Sequence, residues 1–143
     1  MISVGVEAQG DEPPLPPAEV EDLVRAVFSD RDTSAAQATV IFTGDEQLRQ
    51  LKKTYLNIDA YTDVIAFELN EPGEPLEAEI YISVDRAREN CAAYGETLEQ
   101  ELRRLVIHGS LHLMGESDAT PAEQAAMRRL EEGYLDAVRR EPT

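Results

Sequence analysis

The sequence contains little cysteine, little lysine and no long hydrophobic run. The shortage of cysteine and the absence of a long hydrophobic run each exclude a class of protein or site. Its single cysteine, Cys91, excludes an internal disulfide and any zinc site built from several cysteines. Every apolar stretch is interrupted by His, Glu or Asp well before the ~20 residues that a membrane-spanning helix requires. We therefore expect no transmembrane segment.

The N-terminal segment also lacks the features of an export signal. Residues 1–17 contain no basic leader followed by an apolar run, and they become acidic and rich in proline. This pattern predicts a cytoplasmic protein. With 143 residues, of which 42% are hydrophobic, the chain can bury a core and has the size of one compact domain. We expect residues 1–143 to form that single domain.

Lysine is nearly absent, because Lys52 and Lys53 are the only two in the chain. In total 29 acidic residues oppose 13 basic ones, which gives a formal net charge of −16. Such a field repels nucleic acid at low salt. At ~1 M salt the Debye length is only about 3 Å, so an acidic surface poor in lysine suits a protein adapted to concentrated salt. We favour this explanation over a surface that avoids acidic partners.

Hydrophobic periodicity predicts alternating strands and helices. Apolar residues at every second position indicate strands, and apolar residues three or four apart indicate helices with one buried face. Thr43 with Glu46, and Thr120 with Glu123, resemble capping boxes at helix starts. The predicted strands cover about residues 2–6, 38–43, 63–69 and 79–84. The predicted helices cover about residues 20–28, 46–55, 85–94, 98–114 and 121 onward.

The order of these elements limits the fold class. It runs strand, helix, strand, helix, strand, strand, helix, helix, helix. Such an order predicts an α+β (α/β-like) domain in which a four-stranded mixed sheet is packed with about five helices. The order of the strands within the sheet does not follow from this pattern.

Both histidines of the chain lie four residues apart in the fourth predicted helix. The spacing of His108 and His112 stacks their rings on one face, where two imidazoles can chelate one metal ion. Gly115 can adopt the left-handed conformation that turns the chain out of the helix, and Asp118 can then return as a third ligand. Three protein ligands leave one position for water, as in catalytic zinc sites. The sequence thus predicts a metal site at the end of a core helix.

Two other interpretations of this pattern remain open. The histidines could be inert, hydrogen-bonded residues, but the only two in the chain share a face and precede a glycine turn and a carboxylate. The spacing also resembles the zinc-binding run of metzincin proteases. A protease carries its glutamate base at the position of Gly109, so a metalloprotease is the less favoured alternative.

Residues 108–115, with the sequence HGSLHLMG, resemble the HGxLHLxG signature of the YbeY family of bacterial endoribonucleases. Two upstream segments extend the likeness. Residues 61–67 (YTDVIAF) resemble the PTDVLSF strand of the family, and residues 79–83 (EIYIS) resemble its G(D/E)IxIS strand. The resemblance is clearest over about residues 36–135.

The resemblance implies a metal-dependent endoribonuclease that is specific for single-stranded RNA. Members of the family act in the maturation of ribosomal RNA, notably at the 3′ end of the small-subunit RNA, and in ribosome quality control. The expected partners are therefore single-stranded RNA and the ribosome or ribosomal proteins, and not DNA or a membrane. The expected cofactor is one divalent ion, zinc, bound by the catalytic residues His108, His112 and Asp118. Iron and manganese also suit two histidines and a carboxylate.

The chain departs from the family pattern at two positions. Asp118 stands where the family has a third histidine; aspartate binds zinc at about 2.0–2.2 Å, but it lowers the net charge of the site by one. Leu56 stands where the family commonly has an arginine, which suits phosphate. Lys52, Lys53 and Arg86 are candidates to compensate for that loss. Leu56 and the acidic surface support a second hypothesis, a metal-stabilised, ribosome-associated factor whose nuclease activity is weak or absent.

The acidic composition makes a prediction about salt. We expect the free energy of unfolding to rise between about 0.1 M and about 1 M KCl, because screening over a shorter Debye length weakens repulsion among the carboxylates. Denaturation with urea, which is uncharged, measures this change at each salt concentration. A protein that is most stable in dilute buffer would contradict the proposed adaptation to salt.

Overall fold

The structure, a computed structural model, describes residues 1–10, 12–33 and 35–140, apart from the side chains of residues 139 and 140. Over these residues the chain forms four strands and five helices in the predicted order, which confirms the α+β class. No helix in these ranges is both long and apolar enough to cross a membrane. The strands are β1 (Ile2–Ala8), β2 (Ala36–Thr43), β3 (Val64–Glu68) and β4 (Leu76–Ser83). The helices are α1 (Pro17–Asp30), α2 (Asp45–Leu56), α3 (Val84–Tyr94), α4 (Leu98–Leu113) and α5 (Pro121–Arg140).

The four strands form one mixed sheet in the order β1-β2-β4-β3. Strand β2 is parallel to both β1 and β4, whereas β3 is antiparallel to β4. Parallel neighbours require a crossover connection, and α1 and α2 lie in the two crossovers. Antiparallel neighbours can be joined by a short loop, and residues 69–75 connect β3 to β4 in this way. The prediction of a mixed sheet is therefore confirmed.

Helix α4 lies at the centre of the fold. It contacts β3 and β4 of the sheet as well as the helices α1, α3 and α5. Its buried side chains include Leu102, Leu105, Ile107 and Leu111, which belong to the main hydrophobic core. Burial of each such side chain contributes about 1.5–3 kcal/mol. The helix that carries both histidines is thus anchored by five neighbouring elements.

The predicted capping box at Thr43 is wrong. Thr43 is the last residue of β2 and is paired with β4, so the sheet sets the direction of its side chain. Its hydroxyl donates a hydrogen bond to Gln9 instead of accepting one from a helix. Gly44 is the N-cap of α2, and the carboxylate of Asp85 accepts a hydrogen bond from the backbone N–H of Asp45 at 3.0 Å. The first turn of α2 is therefore capped by a side chain that is distant in the sequence.

The predicted capping box at the start of α5 is confirmed. The hydroxyl of Thr120 accepts from the backbone N–H of Glu123 at 3.1 Å, and the Glu123 carboxylate accepts from the N–H of Thr120 at 3.0 Å. The hydrogen bonds from Thr120 hold the pKa of the Glu123 carboxyl below its ordinary value. The start of α5 is thereby fixed just after the loop that contains Asp118.

Gly109 lies where α4 meets the sheet. A methyl group built on it would lie 2.6 Å from Cγ2 of Ile80 and 3.2 Å from Cγ2 of Val64. Ile80 is completely buried in β4, so it has no space into which to move. Position 109 therefore faces the sheet, and a glutamate could not project from it toward the histidines. This packing removes the general base that the metalloprotease alternative requires.

The contact at Gly109 predicts a stability difference between two glycines. Gly109→Ala is expected to lower the free energy of unfolding by about 1–3 kcal/mol, because it overpacks a dense core. Gly133→Ala is the matched control, since Gly133 is exposed within α5 and a methyl group there meets nothing within 4 Å. The control should gain up to ~1 kcal/mol from the helix propensity of alanine. Denaturant unfolding measures both values, and equal stabilisation of the two variants would disprove the close packing at Gly109.

Candidate metal centre

Helix α4 ends in a tight turn just after the second histidine. Gly115 has a φ of 93°, which lies in the region that favours glycine. Its N–H donates to the carbonyl of His112 at 3.1 Å, and the N–H of Glu116 donates to the carbonyl of Leu111 at 3.0 Å. These two bonds form a Schellman motif. The prediction that Gly115 turns the chain out of the helix is confirmed, and the following loop returns toward the histidines.

The loop after α4 is also held by an ion pair. The carboxylate of Glu116 lies 2.5 Å from Nη1 of Arg31, which follows the last residue of α1. The hydrogen bond with Glu116 raises the pKa of the Arg31 guanidinium above its ordinary value. Glu116 therefore fixes the loop against α1 through its side chain.

The two histidines and Asp118 come together at the end of α4. The Nε2 atoms of His108 and His112 are 2.9 Å apart, and their ring planes cross at 77°. The carboxylate of Asp118 places Oδ2 at 3.3 Å from Nε2 of His108 and Oδ1 at 3.5 Å from Nε2 of His112. One possible ligand atom from each of the three residues lies within 4.8 Å of the others. The structure thus assembles the set of residues that the spacing predicted.

The partners of the two Nδ1 atoms determine which ring nitrogens carry hydrogen. Nδ1 of His112 lies 3.0 Å from the backbone carbonyl of Glu116, which can only accept, so this nitrogen is the donor. Nδ1 of His108 lies 2.5 Å from the carboxylate of Glu131, which accepts in the same way. In the neutral rings both Nε2 atoms therefore carry lone pairs. Hydrogen-bonded Nδ1 atoms of this kind are typical of histidines that bind a metal through Nε2.

The donor atoms at this centre fit a divalent cation. Two Nε2 lone pairs and the two oxygens of Asp118 face one another at 2.9–3.5 Å, and in the neutral tautomers none of them carries a hydrogen. Such atoms repel one another unless a positive charge lies among them. Two imidazoles and one carboxylate form a ligand set that binds zinc, iron or manganese. The residues present therefore suit the metal that the sequence motif implies.

A buried charged network that the sequence analysis missed lies behind His108. Glu101 and Glu131 are almost completely buried, and both accept hydrogen bonds from Arg104, at 2.6 Å and 3.1 Å. Burial by itself would lower the pKa of the Arg104 guanidinium, but the two carboxylates raise it above its ordinary value. Arg104 thus bonds to the same carboxylate, Glu131, that contacts Nδ1 of His108.

The sequence does contain a signal for this network. Glu131 falls on the apolar stripe of α5, four residues after Met127, and Glu101 falls on the apolar face of α4, next to Leu102. Carboxylates at core positions are almost never fully buried unless they are paired. An acidic residue at such a position therefore indicates a buried partner, although the pattern does not identify that partner.

A cleft of about 440 Å³ opens beside the centre. Residues of α3, α4 and α5, together with the segment before β3 and the loop after α4, line this cleft. The lining residues are Asp63, Asn90, Tyr94, Arg104, His108, Asp118, Gln124, Arg128 and Glu131. Leu56 is half-exposed, and neither it nor the compensating candidates Lys52, Lys53 and Arg86 belong to this lining. Arg86 instead pairs with carboxylates on α2 and α3. Among the residues that the structure describes, the cations that line the cleft are Arg104 and Arg128, which the sequence pattern did not indicate.

Comparison with known proteins agrees with the fold and the motif. A family model described as "Endoribonuclease YbeY" matches residues 6–139. A protein named endoribonuclease YbeY from Chlorobaculum parvum is 38% identical over 118 residues, which cover 82% of this chain and 83% of the relative. Another protein of that name, from Salinibacter ruber, is 36% identical over 124 residues, which cover 81% of this chain and 79% of the relative.

A solved structure shares the architecture. The solution structure of a protein from Thermotoga maritima superposes with a TM-score of 0.65, covering 94% of this chain and 88% of its own, at 24% identity. At that identity the likeness concerns the fold alone. Since the family model spans nearly the whole chain and the relatives match over most of both lengths, the chain belongs to the YbeY family of endoribonucleases.

Proposed function

We propose that this protein is a metal-dependent endoribonuclease that cleaves single-stranded RNA during the maturation of ribosomal RNA. Membership of the YbeY family supports the reaction class. The observation that carries the metal dependence is the convergence of the two imidazole Nε2 atoms of His108 and His112 with the carboxylate of Asp118. We assign these three residues as the metal ligands and as the catalytic centre.

Each residue around the centre has a separate task in this proposal. His108 and His112 bind the ion through Nε2, and Asp118 adds a carboxylate oxygen. Glu131 holds the ring of His108 in the required tautomer, and the Glu116 carbonyl does the same for His112. A bound divalent ion supplies Lewis-acid activation of the phosphodiester and acidifies water for hydrolysis. The centre itself therefore accounts for the chemistry without a glutamate at position 109.

Zinc is the metal that we propose, because imidazole and carboxylate ligands suit it and three protein ligands leave room for water. With Asp118 in place of a third neutral histidine, the site carries one positive charge less. The proposed consequences are a slightly less acidic water and weaker attraction of phosphate.

The substrate and partners extend the proposal beyond the centre. We infer that the protein acts at the 3′ end of the small-subunit RNA, contributes to ribosome quality control and works in the cytoplasm. A chain with a net charge of −16 does not attract RNA over long distances. Recruitment through basic ribosomal proteins would bring the substrate to the centre in spite of that charge.

A second candidate function is a ribosome-associated factor that binds metal but does not cleave RNA. The observation that favours it is Leu56, a half-exposed leucine at the end of α2 where the family motif carries arginine. The two candidates differ in whether the purified protein cleaves single-stranded RNA in a chelator-sensitive reaction.

Replacement of Asp118 tests the ligand assignment. Tag-free protein should contain about one zinc ion per chain, and Asp118→Ala should lose most of it. Cleavage of a fluorescent single-stranded RNA should then fall by about 100-fold or more, since even changes behind a ligand cost 10–100-fold. Elemental analysis and the cleavage assay, with and without chelator and at a salt concentration where the protein is folded, measure both quantities.

Two further variants make this experiment specific. Asp136→Ala removes the same charge from an exposed position of α5 and should keep both metal and activity. Asp118→His introduces the ligand expected from the family motif and should retain the metal. If Asp118→Ala keeps its metal and its activity, the role assigned to Asp118 is refuted. If the parent protein contains no metal and cleaves no RNA, the non-catalytic factor becomes the better description.

Replacement of Glu131 tests how the centre is oriented. Glu131→Gln should lower zinc affinity by about 10–100-fold, because an amide orients and polarises the His108 ring less strongly than a carboxylate. Glu132→Gln is the matched control, since Glu132 is the exposed neighbour in the same helix. Competition with a chromophoric chelator measures the affinity, and circular dichroism establishes that each variant is folded. Equal affinity of Glu131→Gln and the parent protein would show that Glu131 does not support the ligand.

A further inference from the structure

The cleft beside the metal centre contains one cation that is available to a ligand. Arg104 is mostly buried and bonded to two carboxylates, so its charge is already compensated. The side chain of Arg128 is 40% exposed, and it approaches the nearest carboxylate, that of Glu131, only to 3.8 Å. That carboxylate is already engaged by Arg104 and His108. Among the residues that line the cleft, Arg128 is thus the cation that can bind an anion from solution.

An exposed aromatic ring accompanies this cation. Tyr94, the last residue of α3, is 71% exposed and lines the same cleft. The guanidinium of Arg128 lies over its ring at 5.9 Å from the centroid. An exposed aromatic ring next to a cation is the usual composition of a surface that binds single-stranded nucleic acid, since bases stack on the ring and the cation contacts phosphate.

The position of Arg128 relates this pair to the reaction centre. The carboxylate of Glu131 lies between Arg128 and His108, at 3.8 Å from the first and 2.5 Å from the second. A phosphate bound by Arg128 would therefore lie close to, but outside, the centre formed by His108 and Asp118. A strand cleaved at that centre would therefore bring a neighbouring nucleotide toward Arg128.

We propose that Arg128 and Tyr94 form a nucleotide subsite for the RNA strand that enters the metal centre. Arg128 binds a backbone phosphate, and Tyr94 stacks on the adjoining base. A base inside a duplex is already stacked between its neighbours, whereas an unpaired base can turn onto Tyr94, so the subsite gives a physical reason for a preference for single strands. It also supplies an arginine for phosphate binding from α5. On α2, Leu56 stands where the family commonly has such an arginine. The inference rests on the proposed nuclease function.

The test measures binding separately from cleavage. The probe is a fluorescent 2′-O-methyl oligonucleotide of about ten residues, which resists cleavage, and its anisotropy is recorded with zinc-loaded protein. Arg128→Ala should weaken binding about tenfold and reduce the slope of log affinity against log salt by about 0.7, the value for one phosphate contact on a single strand. Arg129→Ala is the control, because Arg129 is the exposed neighbour in α5 and lies outside the cleft. It removes the same charge and should change neither quantity.

Stacking has its own test. Tyr94→Ala should weaken binding by about five- to 160-fold, the range for loss of one stacked base, without changing the salt slope. Tyr94→Phe restores the ring and should recover most of that loss. Metal content should stay at about one ion per chain in all these variants, because none of them alters a ligand.

The results of these experiments distinguish failure of the proposed subsite from failure of the proposed nuclease function. If Arg128→Ala and Arg129→Ala bind the probe equally, or if Tyr94→Ala binds like the parent, the subsite is wrong, even when natural RNA of the same sequence is cleaved. If the parent protein neither binds the probe nor cleaves natural RNA, the proposed function fails and the subsite fails with it. Loss of affinity in the Arg128 and Tyr94 variants, with metal content unchanged, supports the subsite.

Discussion

The site depends on the close approach of two imidazole nitrogens. The Nε2 atoms of His108 and His112 are 2.9 Å apart, and in neutral rings both carry lone pairs. This arrangement is electrostatically unfavourable by itself. It persists because each Nδ1 is held by an acceptor and because both rings project from a helix with five neighbouring elements. A cation among these atoms converts the repulsion into attraction, so metal binding and the stability of this region are thermodynamically linked.

The packing of α4 explains how one helix can serve both the core and the reaction centre. Gly109 allows the helix backbone to approach Ile80 and Val64 closely. The neighbouring residue His108 then projects from a different side of the helix, toward Glu131 on α5. The same close approach excludes a side chain at position 109. In the proposed centre the helix would therefore supply two ligands but no general base from position 109, which distinguishes it from the centre of a metalloprotease.

The repulsion between the acidic protein and RNA acts at long range, whereas the proposed contacts with RNA act at short range. A net charge of −16 repels RNA at long range, but this repulsion is screened beyond about 10 Å at 0.1 M salt and beyond about 3 Å at 1 M. Contacts inside the cleft act at shorter range. There, Arg104 is paired with Glu101 and Glu131, the exposed guanidinium of Arg128 adds a positive charge, and a divalent ion bound at the proposed centre would add two more. Local binding of phosphate is therefore compatible with an acidic surface.

The strands and helices, the fold class and the cluster of two histidines and one aspartate could be predicted from sequence alone, because each depends on short-range patterns. The two histidines, the turn at Gly115 and Asp118 lie within one helix end and the loop that follows. Tertiary structure decided what depends on pairing between distant segments. Thr43 and Thr120 begin similar motifs, but only Thr120 caps a helix, because Thr43 is held in the sheet. The carboxylate behind His108 likewise comes from 23 residues away, and only the packing of α5 on α4 brings it there.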